Sequence, residues 1–203
     1  LVAGGSLGGM VTLEHCATFP EGSRAAISFA APASPTAWGA AWNHIHRTAI
    51  EAAPRSGLAL ARMVGMLTYR TPGEVERRFR PSTADSHPVR DYLNHHGEKL
   101  VRRFATKSYL TLLDSMDAHN VARGRGSVAR ALAAYRGSLV GVGIPGDLLY
   151  PPDEVLRWTR AAGVPYRELA SPSGHDAFLL EVDEETRLVK HFLQKTYSDF
   201  QKR

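Results

Sequence analysis

The first residues of the sequence contain a glycine-rich motif that could place a reactive serine. Residues 4–8 read Gly-Gly-Ser-Leu-Gly, which fits the pattern G-x-S-x-G, and they stand between a short apolar run and a predicted helix. A strand that turns directly into a helix pushes Ser6 into a cleft and aims the backbone N–H of Leu7 at the oxyanion that forms when a serine attacks a carbonyl. Ser6 is therefore a candidate nucleophile and Leu7 a candidate oxyanion donor, although a phosphate-binding turn or a plain tight loop also fits the motif.

A serine becomes nucleophilic at neutral pH when a histidine takes its proton and a carboxylate orients that histidine. In chains with this motif the acid precedes the histidine, and each follows a later strand. Asp147 comes just after the apolar run at residues 138–144, and His175 follows the short run at residues 166–169. Both positions lie where parallel strands end, which is where the active sites of open α/β sheets form. Order and placement predict a catalytic triad of Ser6, Asp147 and His175.

Other acids and histidines are weaker candidates for these roles. Asp153 opens a predicted helix, where a carboxylate stabilises the N-terminus, and Asp183 lies beyond the histidine. The other histidines lie on predicted helices or in the middle third of the chain: His15, His44, His46, His87, His95, His96, His119 and His191. A surface or packing role is their ordinary interpretation.

Apolar runs predict an α/β protein whose sheet is built from two separate parts of the sequence. A strand, a helix and a strand follow one another in the β-α-β order of a doubly wound parallel sheet, and strands return after the middle third. The predicted elements are strands at 1–3, 25–31, 138–144 and 166–169, helices at 7–19, 152–162 and from about Glu184, and a loop at 170–176.

The middle of the sequence contains no run that is typical of a strand. Its predicted elements are helices at 36–53, 57–69, 73–79, 89–104 and 108–118. We therefore predict an α/β-hydrolase-type core formed by residues 1–31 and 137–203, with a helical lid at residues 32–136. Leu1 stands first and an apolar run leads straight into the serine motif, so we expect the N-terminal strands of such a core to be absent from this sequence.

Composition narrows the class of protein further. The 203 residues carry a net charge of +5 that is dispersed among acidic residues, which argues against nucleic acid and favours an anionic small-molecule substrate. The single cysteine, Cys16, excludes an internal disulfide and a zinc motif. With no signal peptide and no apolar run long enough for a membrane span, we predict a cytoplasmic protein without a membrane partner or a bound metal.

Further segments match one enzyme family in the same order along the chain. They are residues 4–10, 57–62, 67–70, 92–93, 97–100, 123–126, 147–151 and 171–180. With them, the chain resembles the homoserine O-acetyltransferase family from the serine motif onward. The resemblance implies no bound cofactor, acetyl-CoA as co-substrate, and a homodimer whose interface includes part of the lid.

The resemblance also implies a ping-pong reaction. Ser6 takes the acetyl group from acetyl-CoA, and the hydroxyl of L-homoserine then takes it from the serine, with His175 as the base in both steps and Asp147 holding the imidazole.

Two further site residues are implied by the family match. Arg62 resembles the arginine that binds the homoserine carboxylate, and Asp176 resembles the carboxylate that holds its ammonium group. Tyr69 and Arg70 also match the family, and they could either contact a ligand or pack the lid.

Other functions remain open from the residues themselves. The same triad serves acyltransferases that act on serine or another alcohol or that use a succinyl donor, and it serves esterases, in which water intercepts the acyl enzyme. An inactive fragment could act only as a dimerisation module through its helical insertion. The opposite charges of Arg62 and Asp176 favour an amino acid as the acceptor.

Overall fold

A four-stranded parallel sheet forms the centre of the computed structural model, which describes residues 1–83 and 85–201. The strands are β1 (Val2–Gly5), β2 (Ala25–Phe29), β3 (Ser138–Gly143) and β4 (Tyr166–Glu168), in the spatial order β1-β2-β3-β4. Every neighbouring pair is parallel, and Ala26 stands opposite both Val2 and Leu139. The carboxyl ends of strands from two distant parts of the sequence therefore meet at one end of the sheet.

Ten α-helices lie in the part of the chain that the structure describes. In chain order they are α1 (Leu7–Thr18), α2 (Ala37–Ala52), α3 (Pro54–Thr68), α4 (Pro72–Phe79), α5 (Pro88–Arg103), α6 (Thr106–Ala118), α7 (Val128–Ala133), α8 (Pro152–Ala162), α9 (Ala177–Leu180) and α10 (Val182–Gln201). Within the same described ranges, no helix is both long enough and apolar enough to cross a membrane.

Helices cover both faces of the sheet, which explains why its strands are apolar on both sides. On one face, α1, α7 and α8 pack against a layer that includes Ala26 and Leu139. On the other face, α9 and α10 pack against the next residues along the same strands, Ile27 and Val140. The doubly wound α/β architecture predicted from the sequence is confirmed.

Helices α2 to α6 lie between β2 and β3 in the sequence, and α2, α3, α5 and α6 share a small apolar core of their own. Ile50, Leu58 and Leu100 are buried there together. The side chains of Thr36 and Thr71 cap α2 and α4 by accepting hydrogen bonds from backbone N–H groups three residues later. Each described strand lies outside residues 32–136, and the boundaries between lid and core stay a prediction.

Several observed elements differ from expectation. The sequence analysis missed α7, and the segment predicted as a loop at 170–176 ends in a 3₁₀ turn (Gly174–Asp176) that leads into α9. Helix α10 begins at Val182 rather than near Glu184, because three acidic residues in its first turn stabilise an earlier start. Strand β2 ends before Ala31 because Ala30 takes a positive φ of 45°.

Candidate active site

Ser6 lies in the sharp turn between β1 and α1, at the carboxyl end of the sheet. Its backbone takes φ 57° and ψ −122°. Such a conformation costs a non-glycine residue about 1–3 kcal/mol and occurs mostly at functional sites. The turn is held by hydrogen bonds from the Ser6 N–H to the Phe29 carbonyl at 2.9 Å and from the Met10 N–H to the Ser6 carbonyl at 3.0 Å.

The first turn of α1 presents backbone donors next to this serine. The N–H of Leu7, the first residue of the helix, has no acceptor within the helix. No acidic residue stands in the first turn to offset the positive end of the helix dipole. The position suits an anion that forms on a substrate of Ser6, and the role of Leu7 as an oxyanion donor stays a prediction.

The glycines of the motif contribute unequally to the turn. A Cβ atom at Gly4 would lie 2.4 Å from the carbonyl carbon of Gly8, whereas a Cβ atom at Gly8 would meet no neighbouring atom within 4 Å. Crowding in the turn therefore excludes a side chain at position 4 and leaves space for one at position 8.

Asp147 and His175 form a buried pair beyond the ends of β3 and β4. His175 Nδ1 lies 2.7 Å from Asp147 Oδ2, and the two residues are only 2% and 3% exposed, respectively. The other carboxylate oxygen, Oδ1, accepts hydrogen bonds from the backbone N–H groups of Leu149 at 2.8 Å and Tyr150 at 2.9 Å. Because a carboxylate accepts and does not donate, Nδ1 carries the proton, and Nε2 is left with the free lone pair of a base.

Three aromatic rings surround His175. The rings of Tyr69 and Tyr150 lie 5.6 Å from the imidazole, centre to centre, and the ring of Phe178 lies at 5.7 Å. Burial raises the pKa of the Tyr69 hydroxyl above its usual range, so this group stays protonated near neutral pH. The imidazole is thus held by one hydrogen bond and a ring of apolar contacts.

Phe178 links the histidine to the serine turn. A Cβ atom at Gly5, the residue before Ser6, would lie 2.3 Å from the Phe178 ring, so the ring sits directly on that glycine. The same ring packs edge-on against His175. Within the described residues no hydrogen bond joins Ser6 Oγ to His175, and the catalytic contact between them stays a prediction.

The two residues predicted to bind an amino acid lie on either side of Tyr69. The Arg62 guanidinium lies over the Tyr69 ring, with Cζ 5.7 Å from its centre, and it has no carboxylate partner among the described residues. The backbone N–H of Asp176 donates to the Tyr69 carbonyl at 3.2 Å, and its side chain follows directly after His175. The structure therefore brings opposite charges to the neighbourhood of the imidazole, while their binding roles stay a prediction.

Arg70, whose role the sequence left open, pairs with two carboxylates. Its Nη1 donates to Glu74 at 3.2 Å, and its Nη2 lies 3.3 Å from Asp176 Oδ2. The i, i+4 spacing of Arg70 and Glu74 is visible in the sequence, but it suggests only a surface pair on a helix. The contact with Asp176, 106 residues away, had no sequence signal.

The described residues, 1–83 and 85–201, contain no group of three or more His, Cys, Asp or Glu side chains that could hold a metal ion.

Comparisons with known proteins agree with this architecture, although no family model matches the chain. A homoserine O-acetyltransferase from Thermus thermophilus is 45% identical over 95% of this chain and 52% of its own length. The crystal structure of homoserine O-acetyltransferase from Staphylococcus aureus has a TM-score of 0.80 at 36% identity, over 94% of this chain and 57% of that one. An acetylester hydrolase from Corynebacterium glutamicum shares the fold, with a TM-score of 0.81 at 19% identity over 95% and 60% of the two chains.

A doubly wound parallel sheet with a serine turn after β1 and an acid-histidine pair after β3 and β4 defines an α/β-hydrolase-type protein. Within that superfamily the chain is homologous to the homoserine O-acetyltransferases over almost all of its length, which confirms the resemblance found in the sequence. The chain spans about half the length of the curated relatives it matches.

Proposed function

We propose that the protein carrying this sequence is a homoserine O-acetyltransferase, which moves an acetyl group from acetyl-CoA to the hydroxyl of L-homoserine through an acyl-serine at Ser6. The observation that carries this proposal is the 2.7 Å hydrogen bond between Asp147 and His175, at the same end of the sheet as the strained serine. This hydrogen bond orients His175 as a base. Relatives that match 95% of the chain bear the name of this enzyme.

The first half-reaction transfers the acetyl group to the protein. His175 Nε2 takes the proton of Ser6 Oγ while this oxygen attacks the thioester carbonyl of acetyl-CoA. The Leu7 N–H stabilises the oxyanion. The carbon–sulfur bond then breaks, the proton passes from His175 to the departing sulfur, and acetyl-Ser6 and CoA remain.

The second half-reaction regenerates the serine. His175 takes the proton of the homoserine hydroxyl, whose oxygen attacks the acetyl-Ser6 carbonyl; the ester bond to Ser6 breaks and the proton returns to Ser6 Oγ. The buried charges of the site suit this acceptor. Arg62, with no carboxylate partner in the described ranges, binds the carboxylate of the amino acid, and Asp176 binds its ammonium group.

An esterase is the second candidate, because the acetylester hydrolase of Corynebacterium glutamicum shares the fold. In an esterase, water takes the place of homoserine in the second half-reaction, and an amino-acid pocket has no use. Arg62 and Asp176 beside the imidazole favour the transferase.

Thiol release from acetyl-CoA separates these functions. With the natural protein we expect a single burst of free CoA without acceptor and continuous turnover once homoserine is added. Steady thiol release that homoserine does not accelerate would instead indicate an esterase. A parallel series with succinyl-CoA identifies the donor. Ser6→Ala, which lacks the nucleophile, should abolish both the burst and the turnover.

We also propose that the protein acts as a cytoplasmic homodimer that uses part of the lid. Large apolar side chains are exposed on α2, α3 and α6: Trp38, Ile45, Leu60, Leu67 and Leu112. Apolar surface of this kind is often covered by a partner. Light scattering that shows a monomer at micromolar concentration would exclude the dimer.

A further inference from the structure

The Asp176 carboxylate is partly buried and has few partners. Its side chain is 17% exposed, and its one ion-pair partner in the described residues is Arg70 Nη2 at 3.3 Å. This contact lacks the alignment of a hydrogen bond, and no group in residues 1–83 and 85–201 donates a hydrogen bond to the carboxylate. A carboxylate with one ion pair and no hydrogen-bond donor among the described residues keeps acceptor capacity for a ligand beside the candidate base.

The Arg70 guanidinium is divided between Asp176 and a second carboxylate. Nη1 donates to Glu74 Oε1 at 3.2 Å and to Oε2 at 3.4 Å, while Nη2 faces Asp176. The Arg70 and Glu74 side chains are only 12% and 9% exposed, so solvent screens the group weakly. Together these two carboxylates and one guanidinium carry one surplus negative charge, which Arg62 offsets without a direct ion pair and which a cation bound at Asp176 would neutralise.

This surplus charge lies next to the imidazole because hydrogen bonds join the lid to the histidine loop, the segment at residues 170–176 that contains His175. Thr71 Oγ1 donates to the Pro172 carbonyl at 2.6 Å, and the Asp176 N–H donates to the Tyr69 carbonyl. A cation that binds the surplus charge therefore lies beside His175.

We infer that Arg70 is a positioning residue that holds the Asp176 carboxylate, and that Glu74 determines specificity by engaging the same guanidinium. Glu74 thereby leaves Asp176 with free acceptor capacity for the ammonium group of the acceptor. The inference rests on the proposed function and deepens it: the three side chains favour an amino acid over an uncharged alcohol, because only the amino acid brings a cation to the surplus charge.

Removal of either partner has a distinct consequence. Without the Glu74 charge, one guanidinium faces one carboxylate, so Asp176 is neutralised and attracts an ammonium group less. Without the Arg70 charge, the two carboxylates repel one another, and Asp176 holds its proton up to a higher pH.

The pKa of Asp176 is already raised in the folded chain. Burial is the main cause, and the positive charges of Arg70, His175 and Arg62 oppose it. The Glu74 carboxylate raises the pKa further. The buried hydroxyl of Tyr69 is the other titratable group that senses the charge of Asp176.

The first test compares Glu74→Gln with Glu98→Gln in the natural protein. Glu98 forms an i, i+4 pair with Arg102 at 3.6 Å on the exposed surface of α5, so it is a matched control. We expect Glu74→Gln to raise KM for homoserine about threefold to fivefold, with a much smaller change in the CoA burst. Glu98→Gln should change neither.

The second test follows pH in Arg70→Gln and Arg70→Lys. For Arg70→Gln we expect the acid limb of kcat/KM for homoserine to move up by about one pH unit, because the Asp176 pKa rises when the opposing charge is lost. The CoA burst, which uses His175 but not Asp176, should keep its pH profile. Arg70→Lys keeps the charge and should restore most of the wild-type profile, which a merely structural role of Arg70 would not produce.

An unchanged homoserine KM in Glu74→Gln would overturn the inference, and so would an equal pH shift of both half-reactions in Arg70→Gln. Wild-type protein that releases CoA but never acetylates homoserine would instead overturn the proposed function.

Discussion

Two aspartates lie next to His175, one buried and one only partly buried, and their hydrogen bonding differs sharply. Asp147, on the side of the sheet, accepts two backbone N–H groups on one oxygen and the imidazole on the other. Asp176, on the side of the lid, accepts no hydrogen bond within the described residues and shares its only ion-pair partner. This difference fits a carboxylate that builds the site at Asp147 and, as we propose, one that binds the substrate at Asp176.

The contrast has a physical basis. A carboxylate whose two oxygens both accept hydrogen bonds stays in one position, so it can fix the tautomer of a histidine through a catalytic cycle. A partly buried carboxylate with few partners lowers stability, and such a group persists in a fold where a ligand completes its bonding.

Asp147→Asn removes the carboxylate that orients His175 from the side of the sheet. We expect it to have the largest effect on activity. The amide can donate to Nδ1, which leaves the proton on Nε2, the nitrogen that must act as the base. We expect kcat for both half-reactions to fall by about 10⁴-fold, as measured by the CoA burst and by homoserine turnover.

The matched control is Asp153→Asn, in the first turn of α8, which removes a carboxylate that does not touch His175. Near-normal activity of Asp147→Asn would show that the pair is structural rather than catalytic.

Arg62→Ala should weaken only the acceptor step. Loss of a charge-assisted hydrogen bond to the substrate carboxylate should lower kcat/KM for homoserine by at least roughly thirty-fold, or about 2 kcal/mol. The CoA burst should change much less. Normal homoserine turnover would show that Arg62 only packs against Tyr69, and a lost burst would place it at the donor instead.

Of these three substitutions, Asp176→Asn should have the smallest effect on rate. It should also raise the stability of the fold where the wild-type carboxylate is ionised. We expect roughly tenfold lower kcat/KM for homoserine, since the amide keeps an acceptor oxygen but loses the charge. Burial raises the pKa of Asp176, so the wild-type protein loses stability as pH rises from the unfolded value through this raised pKa.

Thermal unfolding checks the sign of this effect. The melting temperature of Asp176→Asn relative to wild type should increase as pH rises from the pKa of an aspartate in the unfolded chain through the raised pKa of Asp176 in the folded chain. A relative melting temperature that falls over this range would mean that the charge of Asp176 stabilises the fold, and the comparison with Asp147 would fail.

The sequence predicted those parts of the site that depend on local pattern. Ser6 stands at a turn that small residues permit, and Asp147 and His175 follow runs whose apolar character marks buried strands. Their meeting follows from the rule that parallel strands end on the same side of a sheet. The parallel architecture could be predicted for the same reason.

The lid side of the site could not be predicted from pattern. Arg70 reaches Asp176 only because the lid docks on the histidine loop, and no short-range signal encodes a contact across 106 residues. The tight packing of Gly4 and the freedom of Gly8 likewise depend on the angle at which α1 leaves the sheet. The start of α10 at Val182 was not predicted because the helix was placed by the spacing of its apolar residues. The acidic residues of its first turn stabilise an earlier start.

The lid is inserted between β2 and β3 in the sequence, and this position determines which parts of the protein can change in evolution. Strands β2 and β3 pair directly although the whole lid lies between them. The entropy of closing such a loop grows only logarithmically, by about 0.6 kcal/mol for each doubling of its length. Residues can therefore be gained or lost between α2 and α6 with little penalty to the pairing of β2 and β3. Under the proposed function, acceptor choice can change by insertion and deletion in the lid while the chemistry of Ser6, Asp147 and His175, which the sheet positions, stays the same.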